Sequence, residues 1–366
     1  MFPRLEINLS KISNNYSYLQ TLTNSEVGCC IKSNAYGLGA REVARALAKV
    51  GCKELFVNNL TEALELKIAL KNVNVRIYLF HGVTNKADAE LIYKNNFIPV
   101  LNSMHQAQVY YSCFPETRKH VAIHVDTGMN RLAFSSEEYE KNIDWLIEKF
   151  EVVLLMSHLS CADEENNEYN KQQLHKFLKY KEDLKTKYGE KLNVKYSLAN
   201  SPGLVLSKDY HFDLLRVGAL LYNINYTYNK SSQLQNPIKL TAKILEVNNI
   251  KSGEYIGYSM HYMANTNSII ATINLGYSSG YPVCLSNKGK VYIQGHEANI
   301  VGRISMDLIT LDVSNIDPNL LYRGQEVELI NDALDINKLA TLAGIFPYEL
   351  PLRLNNSIIT KHYIYD

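Results

Sequence analysis

The chain has 366 residues, with 38 lysines and arginines against 37 aspartates and glutamates, and 46% of its residues are hydrophobic. This length suffices for one large domain and a smaller one, each with an ordinary core. Because the charges balance, no basic excess is available for a nucleic-acid backbone or an anionic membrane surface. We therefore expect a small-molecule partner, and neither a nucleic acid nor a membrane.

The cysteines and the apolar runs favour a cytoplasmic protein. The six cysteines are scattered, without the spacing of paired metal ligands or of a disulfide framework. No apolar run approaches the length of a membrane span, and the amino terminus lacks a long apolar stretch behind a basic start. We expect no metal site and no membrane segment.

In the first part of the chain, β-rich runs alternate with amphipathic stretches. Apolar residues return at three- and four-residue spacing over 40–50, 61–70, 136–150 and 171–188, which predicts helices. The β-rich runs are 26–32, 54–59, 75–80, 97–102, 120–128, 151–159, 194–200 and 212–223. About eight βα units are typical of a parallel (β/α)8 barrel of the TIM type. An open doubly wound sheet is the alternative, because it shows the same alternation.

After Asn223 the pattern changes to a polar, turn-rich stretch and then to short alternating runs. These runs cover 239–250, 268–277, 291–304 and 308–313, and one helical stretch follows at 335–350. We predict an α/β protein with a barrel over residues 8–227. A smaller, mostly β C-terminal domain is expected over 228–366, joined by the N-terminal strand 1–7.

Polar residues fall at the carboxyl ends of the predicted strands, where such barrels carry their active sites. They include Lys32, Arg131, His158, Ser201 and Arg216. A lysine at a strand end often marks only the point where the strand reaches water, since burying it unpaired is costly. Alternatively, Lys32 is held at the barrel mouth and forms a Schiff base.

The loops after the seventh and eighth strands are the usual phosphate site of this architecture. Here they read NSPG (200–203) and RVGA (216–219), which offer hydroxyl and glycine amide donors. NSPG also fits a simple helix cap, and both interpretations can hold. A Schiff-base lysine that faces a phosphate pocket indicates pyridoxal 5'-phosphate.

The chain resembles the alanine racemase family along nearly its whole length. The motifs that carry the resemblance are IKSNAYGLG (31–39), VDTGMNRLAF (125–134), SHLSCAD (157–163), ANSPG (199–203), RVGALLYN (216–223), GYSMHY (257–262), LGYSSGYP (275–282), GRISMD (302–307) and PYELP (347–351). Their order and spacing together make the match specific. The resemblance implies racemisation of alanine with pyridoxal phosphate.

By this resemblance, Lys32 binds the cofactor and Arg216 faces its pyridine nitrogen. Other residues implied at the cofactor are Tyr36, His158, Asn200, Ser201, Gly218, Ala219 and Tyr348. An arginine keeps its proton near neutral pH, so it should leave the ring nitrogen unprotonated and favour prompt reprotonation at Cα.

Racemisation needs a base on each face of Cα, and the resemblance assigns these roles to Lys32 and Tyr258. The substrate carboxylate would meet Arg131 and the backbone amide of Met306, with Tyr277 supporting the arginine. The family forms homodimers in which the β-domain of one subunit reaches the barrel mouth of the other. Each site would then take Lys32 and Tyr258 from different chains.

Several positions depart from the family pattern. His124 stands where many members have a carbamylated lysine, and we expect it to orient Arg131 by a hydrogen bond instead. Leu38 replaces a frequent histidine, and Val283 replaces a common arginine of the entrance corridor. Asp163 and Arg303 match other corridor positions, and the tail 352–366 also deviates.

Three other functions are compatible with parts of this pattern. A racemase of serine, lysine or another amino acid differs only in a few pocket residues, so this alternative stays open. A decarboxylase with a barrel and a β-domain would require an acidic partner at the ring nitrogen, against which Arg216 argues. A non-catalytic pyridoxal phosphate carrier would lack the second domain.

Overall fold

The computed structural model describes residues 3–189, 192–224 and 233–365. It contains a parallel eight-stranded sheet and a second eight-stranded sheet that is mainly antiparallel. The first strand, β1 (Arg4–Asn8), belongs to the second sheet, although the parallel sheet follows it directly in sequence.

The parallel sheet forms a nearly closed barrel. Its strands are β2 (Glu26–Cys30), β3 (Glu54–Val57), β4 (Arg76–Leu79), β5 (Ile98–Leu101), β6 (Lys119–His124), β7 (Phe150–Met156), β8 (Lys195–Ser197) and β9 (Leu214–Val217). β9 pairs with β2, and two backbone bonds link β9 and the residue before it to β8 and the residues after it: Asp213 N donates to Tyr196 O, and Arg216 N donates to Ala199 O, both at 3.0 Å. The predicted barrel is thus confirmed, and the open sheet is excluded.

Helical segments follow β1 and all but the last barrel strand, and the second of them is a short turn with left-handed backbone angles. They are α1 (Leu9–Thr21), α2 (Lys32–Tyr36), α3 (Ala40–Lys49), α4 (Leu60–Ala69), α5 (Lys86–Lys94), α6 (Met104–Cys113), α7 (Ser136–Lys149), α8 (Tyr169–Tyr188) and α9 (Ser201–Leu206). Asn59, Asn85, Ser103 and Ser135 each cap a helix by accepting a hydrogen bond from the amide three residues on. Each cap fixes the residue at which the loop ends and the helix begins.

The barrel interior is filled by large side chains, so it is a packed core rather than a pore. Phe56 stacks on Tyr78, with ring centroids 4.5 Å apart. At the amino ends of the strands, the fully buried Glu54 pairs with Arg76 and Lys195. A buried ion-pair cluster thus occupies the amino end of the barrel interior.

The second sheet lies toward the carboxyl terminus of the chain. Its further strands are β10 (Ile238–Ile250), β13 (Ser268–Ile273), β14 (Lys290–Ile293), β15 (His296–Ile300), β16 (Ile309–Asp312), β17 (Glu326–Ile330) and β18 (Thr360–Ile364), while β11 (Tyr255–Ile256) and β12 (Tyr262–Met263) form a separate hairpin. β1 pairs antiparallel with β10 and parallel with β18. Two helices, α10 (Ile336–Ala343) and α11 (Glu349–Arg353), precede the last strand.

Some sequence interpretations differ from the structure in detail. The run 212–223 is a strand only over β9, because its second half forms a 3-10 helix, Ala219–Tyr222. The expected domain boundary at 227/228 lies outside the described residues. In the described parts of the chain, no helix combines the length and apolar character needed to cross a membrane.

Candidate active site

A cavity of about 490 Å³ opens at the carboxyl ends of the barrel strands. The predicted site residues in its walls are Lys32, Tyr36, Arg131, His158, Asn200, Ser201, Arg216, Gly218, Ala219 and Tyr348. A wider groove of about 930 Å³ crosses the opposite end, but its walls contain none of the predicted site residues. The convergence of lysine, arginine, histidine and hydroxyl groups identifies the first cavity as the candidate site.

Lys32 lies two residues after the end of β2, and its Nζ lies 5.8 Å from the centroid of the Phe80 ring. The chain then makes a left-handed turn, with φ between 53° and 56° from Ser33 to Tyr36. The Glu62 carboxylate fixes the start of this turn by accepting from Ser33 N at 2.7 Å. The amine therefore projects into the cavity from a rigidly held segment.

Small residues and hydroxyls form a cradle at the end of β9. The Ser201 hydroxyl accepts from Gly218 N at 2.8 Å. A Cβ on Gly218 would lie 2.3 Å from the Tyr36 hydroxyl, so only glycine fits there. Tyr348 approaches from the other side, with its ring centroid 6.1 Å from that of Tyr36. The hydroxyl groups of Tyr36, Ser201 and Tyr348 all line this cavity, and such hydrogen-bonding groups suit a phosphate.

Burial changes the acidity of the two tyrosines in this cradle. It raises the pKa of Tyr36 well above its ordinary value and that of Tyr348 to about 12. Both phenols therefore stay protonated at neutral pH, and each can donate a hydrogen bond to an anion. Asn200 caps the short helix α9 by accepting from Gly203 N, which holds Ser201 in place.

Arg216 is a buried arginine with a nearly complete set of partners. Its Nη1 donates to the carbonyl and hydroxyl of Ser197, and its Nη2 donates to Ser157 O and lies 3.4 Å from Nδ1 of His158. Its Nε is buried and has no partner among the described residues. Burial lowers the pKa of Arg216 to about 10, so it remains charged near neutral pH. An unpaired donor at a cavity wall fits a ring nitrogen acceptor.

His124 lies near Arg216 and His158 and stays neutral. Its Nδ1 is 3.0 Å from Oδ1 of Asn102. Burial, together with the charges of Arg216 and Arg131, lowers the pKa of His124 to about 3. The structure gives it Asn102 as a partner, whereas the predicted bond from His124 to Arg131 is not among its contacts. The effect of Arg131 on His124 is electrostatic.

Arg131 stands on a loop that one carboxylate organises. Asp126 Oδ1 accepts from the backbone amides of Gly128, Met129 and Asn130, at 2.9 to 3.1 Å. Arg131 follows directly and reaches the cavity. The VDTGMNR motif therefore holds an exposed arginine on a fixed loop.

Three predicted site residues lie away from the cavity of their own chain. Tyr258, Tyr277 and Met306 are absent from its walls, and their exposed fractions are 69%, 44% and 54%. Two of their loops are joined, because Tyr277 N donates to Ser305 O at 3.1 Å and Ser278 N donates to Met306 O at 2.9 Å. We call the exposed residues Tyr258, Tyr277 and Met306 the β-domain patch.

Sequence reasoning missed the residues that hold the site together. Ser197 and Ser157 hold Arg216, Glu62 holds the Lys32 turn, and Asn102 holds His124. A weak signal existed only for Glu62, which lies three residues after the helix-capping Asn59. The other contacts join strands that are distant in sequence, and no local pattern reveals them.

The barrel and this site together define an enzyme class. A lysine at the first barrel strand, a phosphate cradle at the last strands and a free arginine donor between them fit pyridoxal phosphate. The fold is that of the barrel-plus-β-domain enzymes that use this cofactor.

Comparison with known proteins agrees with this class. The family model described as "Alanine racemase, N-terminal domain" matches residues 7–226, and that for the C-terminal domain matches residues 238–362. An alanine racemase from Rickettsia canadensis is 38% identical over 363 residues, which cover 98% of each chain. The crystal structure of alanine racemase from Bartonella henselae, with covalently bound pyridoxal phosphate, superposes with a TM-score of 0.91 and 34% identity over the whole of both chains. This chain belongs to the alanine racemase family, which confirms the resemblance seen in its motifs.

Proposed function

We propose that the protein interconverts L-alanine and D-alanine, with pyridoxal 5'-phosphate as its cofactor. The observation that carries the proposal is Arg216, which is fixed by five oxygen and nitrogen partners, has a buried Nε without a protein partner and lines the same cavity as Lys32. Family membership over the full chain supports the substrate.

The residues of the cavity would hold the cofactor at both ends. Lys32 would bind it covalently, and the phosphate would lie in the cradle of Tyr36, Ser201, Gly218 and Tyr348, beside the backbone of Ala219. Arg216 Nε would donate to the ring nitrogen. When bound, pyridoxal phosphate withdraws electrons from the substrate Cα and makes its proton acidic.

Arg216 would influence the fate of that proton. Because the guanidinium keeps its own proton, it would donate a hydrogen bond to the ring nitrogen without protonating it. This would limit electron withdrawal from Cα and favour prompt return of a proton over side reactions such as transamination.

The two proton carriers would be Lys32 and Tyr258 on opposite faces of Cα. Tyr258 is 69% exposed and lies outside the cavity of its own chain. We therefore propose a homodimer in which the β-domain patch of one chain covers the barrel mouth of the other. This arrangement would also bury the apolar surfaces of Tyr258, Tyr277 and Met306.

The substrate carboxylate would bind between the chains. The Arg131 guanidinium offers a planar fork that matches a carboxylate. The backbone amide of Met306 would add a donor, and Tyr277 would pack against the arginine. Since the Asp126 carboxylate already fixes the loop before Arg131, little order would be lost on binding.

We also propose a cytoplasmic location. Every cysteine of the chain is a free thiol in the structure, and three of them, Cys29, Cys30 and Cys52, are buried. Free thiols suit a reducing compartment.

Incubation of the purified holoenzyme with L-alanine, L-serine and L-lysine tests the function, with D-product scored by chiral chromatography. We expect D-alanine to form fastest and a Lys32→Ala control to form none. Faster D-serine or D-lysine formation would assign another racemase. Release of carbon dioxide without D-product would reject racemisation and favour a decarboxylase.

A further inference from the structure

The turn that carries Lys32 has a backbone that L-residues rarely adopt. Four consecutive non-glycine residues, Ser33 to Tyr36, have φ between 53° and 56°. Its local backbone bonds are short-range: Ala35 N donates to Ile31 O, Gly37 N to Ser33 O and Gly39 N to Asn34 O, each at 2.9 Å, and Leu38 N to Ala35 O at 3.1 Å. The Asn34 side chain also accepts from Ala40 N, at 2.8 Å. Such a turn persists only when contacts from outside hold it.

One set of outside contacts comes from the barrel. The Glu62 carboxylate accepts from Ser33 N at 2.7 Å and from Asn58 N at 2.8 Å. These bonds fix the beginning of the turn beside the end of β3, but they do not reach its far end at Gly37.

The far end is held by the last strand, β18. Lys361 Nζ donates to Gly37 O at 2.6 Å and also to Oδ1 of Asn355. The same Asn355 oxygen lies 3.5 Å from Nδ2 of Asn34 and accepts from it. One ammonium group therefore joins the carbonyl at the end of the turn to a side chain that also touches its middle.

Tyr363, also on β18, makes a second contact with the segment that follows Lys32. A Cβ on Gly39 would lie 2.0 Å from the Tyr363 hydroxyl, so this side chain packs directly on the backbone after the turn. β18 pairs in parallel with β1, with Lys361 opposite Leu5 and Tyr363 opposite Ile7. Side chains alternate along a strand, so Lys361 and Tyr363 share one face and His362 lies on the other, where it is exposed.

We propose that Lys361 and Tyr363 are positioning residues, which clamp the left-handed turn and thereby hold Lys32 at the cofactor. The inference rests on the proposed function, because it assigns these residues a role in presenting Lys32. The clamp ties the turn to the second sheet, and this sheet belongs to the same domain as Tyr258. A hydrogen bond from a half-buried ammonium to a carbonyl is charge-assisted and therefore strong enough for this role.

Hydrogen exchange of the holoenzyme tests the clamp. In K361M the backbone amides of residues 33–39 should exchange at least about tenfold faster than in the wild type, because both hydrogen bonds of the ammonium group are lost. The dissociation constant for pyridoxal phosphate should rise by about the same factor, measured by absorbance after dialysis. We expect kcat for alanine to fall more than KM changes.

Three further variants make the result decisive. K361R keeps a charged donor and should restore most of the protection, whereas H362A changes the opposite face of the same strand and should match the wild type. N355A removes the shared acceptor at an exposed position, and it should loosen the same amides even if K361M folds poorly. Unchanged exchange at 33–39 in both K361M and N355A would overturn the clamp, as would equal acceleration in the barrel strands.

Exchange and cofactor affinity do not depend on turnover. A wild-type protein that binds pyridoxal phosphate but forms no D-alanine would reject the proposed function and leave the clamp in place. Normal D-alanine formation by the wild type, together with unchanged exchange in the variants, would reject the clamp and leave the proposed function in place.

Discussion

Arg216 and His158 form a buried pair in which Nη2 of the arginine lies 3.4 Å from Nδ1 of the histidine. Arginine can only donate, so Nδ1 is the acceptor and the ring proton of His158 is on Nε2. Burial and the charge of Arg216 hold the pKa of His158 well below its usual range. The histidine is therefore neutral, and it lines the cavity together with Arg216.

Arg216→Glu should change the outcome of the reaction. A carboxylate beside the ring nitrogen would favour its protonation, since a charge at this distance shifts a pKa by 1 to 3 units. We expect transamination to rise relative to racemisation by at least about tenfold. Pyruvate and D-alanine are measured in the same reaction, with Arg41→Glu on the surface of α3 as the control. An unchanged ratio in folded protein would show that Arg216 is structural.

Lys32 should carry the cofactor covalently. Borohydride treatment of the holoenzyme should abolish its visible absorption and fix the cofactor on the peptide that contains Lys32. Lys32→Ala should lower racemisation by about a thousandfold or more, because a covalent link and a proton carrier are both lost. Peptide mass spectrometry locates the adduct, and an adduct on another lysine would contradict the assignment.

Gly218→Ala should weaken cofactor binding by about tenfold or more, because the new Cβ would meet the Tyr36 hydroxyl at 2.3 Å. Tyr36→Phe removes that hydroxyl. The cost of Gly218→Ala should therefore be smaller in the Tyr36→Phe background than in the wild type. Titration with pyridoxal phosphate, followed by absorbance, measures both effects. Additive losses would show that the two residues act independently.

The decrease in the free energy of unfolding at acidic pH should depend on His124. Its pKa in the folded protein is lowered to about 3, whereas an unfolded histidine titrates at about 6.5. Between these values only the unfolded state binds the proton, so the free energy of unfolding falls as pH decreases below 6.5. The loss is about 1 kcal/mol per pH unit from this group.

Denaturant unfolding at pH 7, 6 and 5 measures this dependence. His124→Gln should flatten the decrease, because it removes the group that must stay neutral. His296→Gln, on the exposed strand β15, should leave the decrease as in the wild type. Parallel curves for wild type and His124→Gln would show that His124 is not buried in the neutral form.

The barrel could be predicted from sequence because each of its strands is a compact apolar run and four of its helices have strong amphipathic spacing. α6 was not predicted because its apolar residues form no clear stripe, whereas α1 and α5 were not predicted although their apolar sides are nearly as marked as that of α7. β17 and β18 were missed as well. Their sequences, EVELI and TKHYI, are short and half polar, and they become strands only through pairing with distant segments.

In the site, too, locally encoded features could be predicted and long-range contacts could not. Lys32 and Arg216 stand in local motifs at strand ends, so their positions follow from sequence. The left-handed turn after Lys32 does not, because SNAY contains no glycine and its backbone depends on Lys361 and Glu62 far away in sequence. Similarly, the partner of Arg216 at Ser197 follows only from the closure of the barrel.

The most direct test concerns the division of one active site between two chains. Lys32→Ala and Tyr258→Ala should each abolish most racemisation. In a mixed dimer one site receives both substitutions and the other receives neither. With random exchange at equal amounts, half the dimers carry one intact site, so about a quarter of wild-type activity should return. Native mass spectrometry confirms that mixed dimers have formed. No recovery of activity in confirmed mixed dimers would contradict the shared site and would place both residues in the same chain.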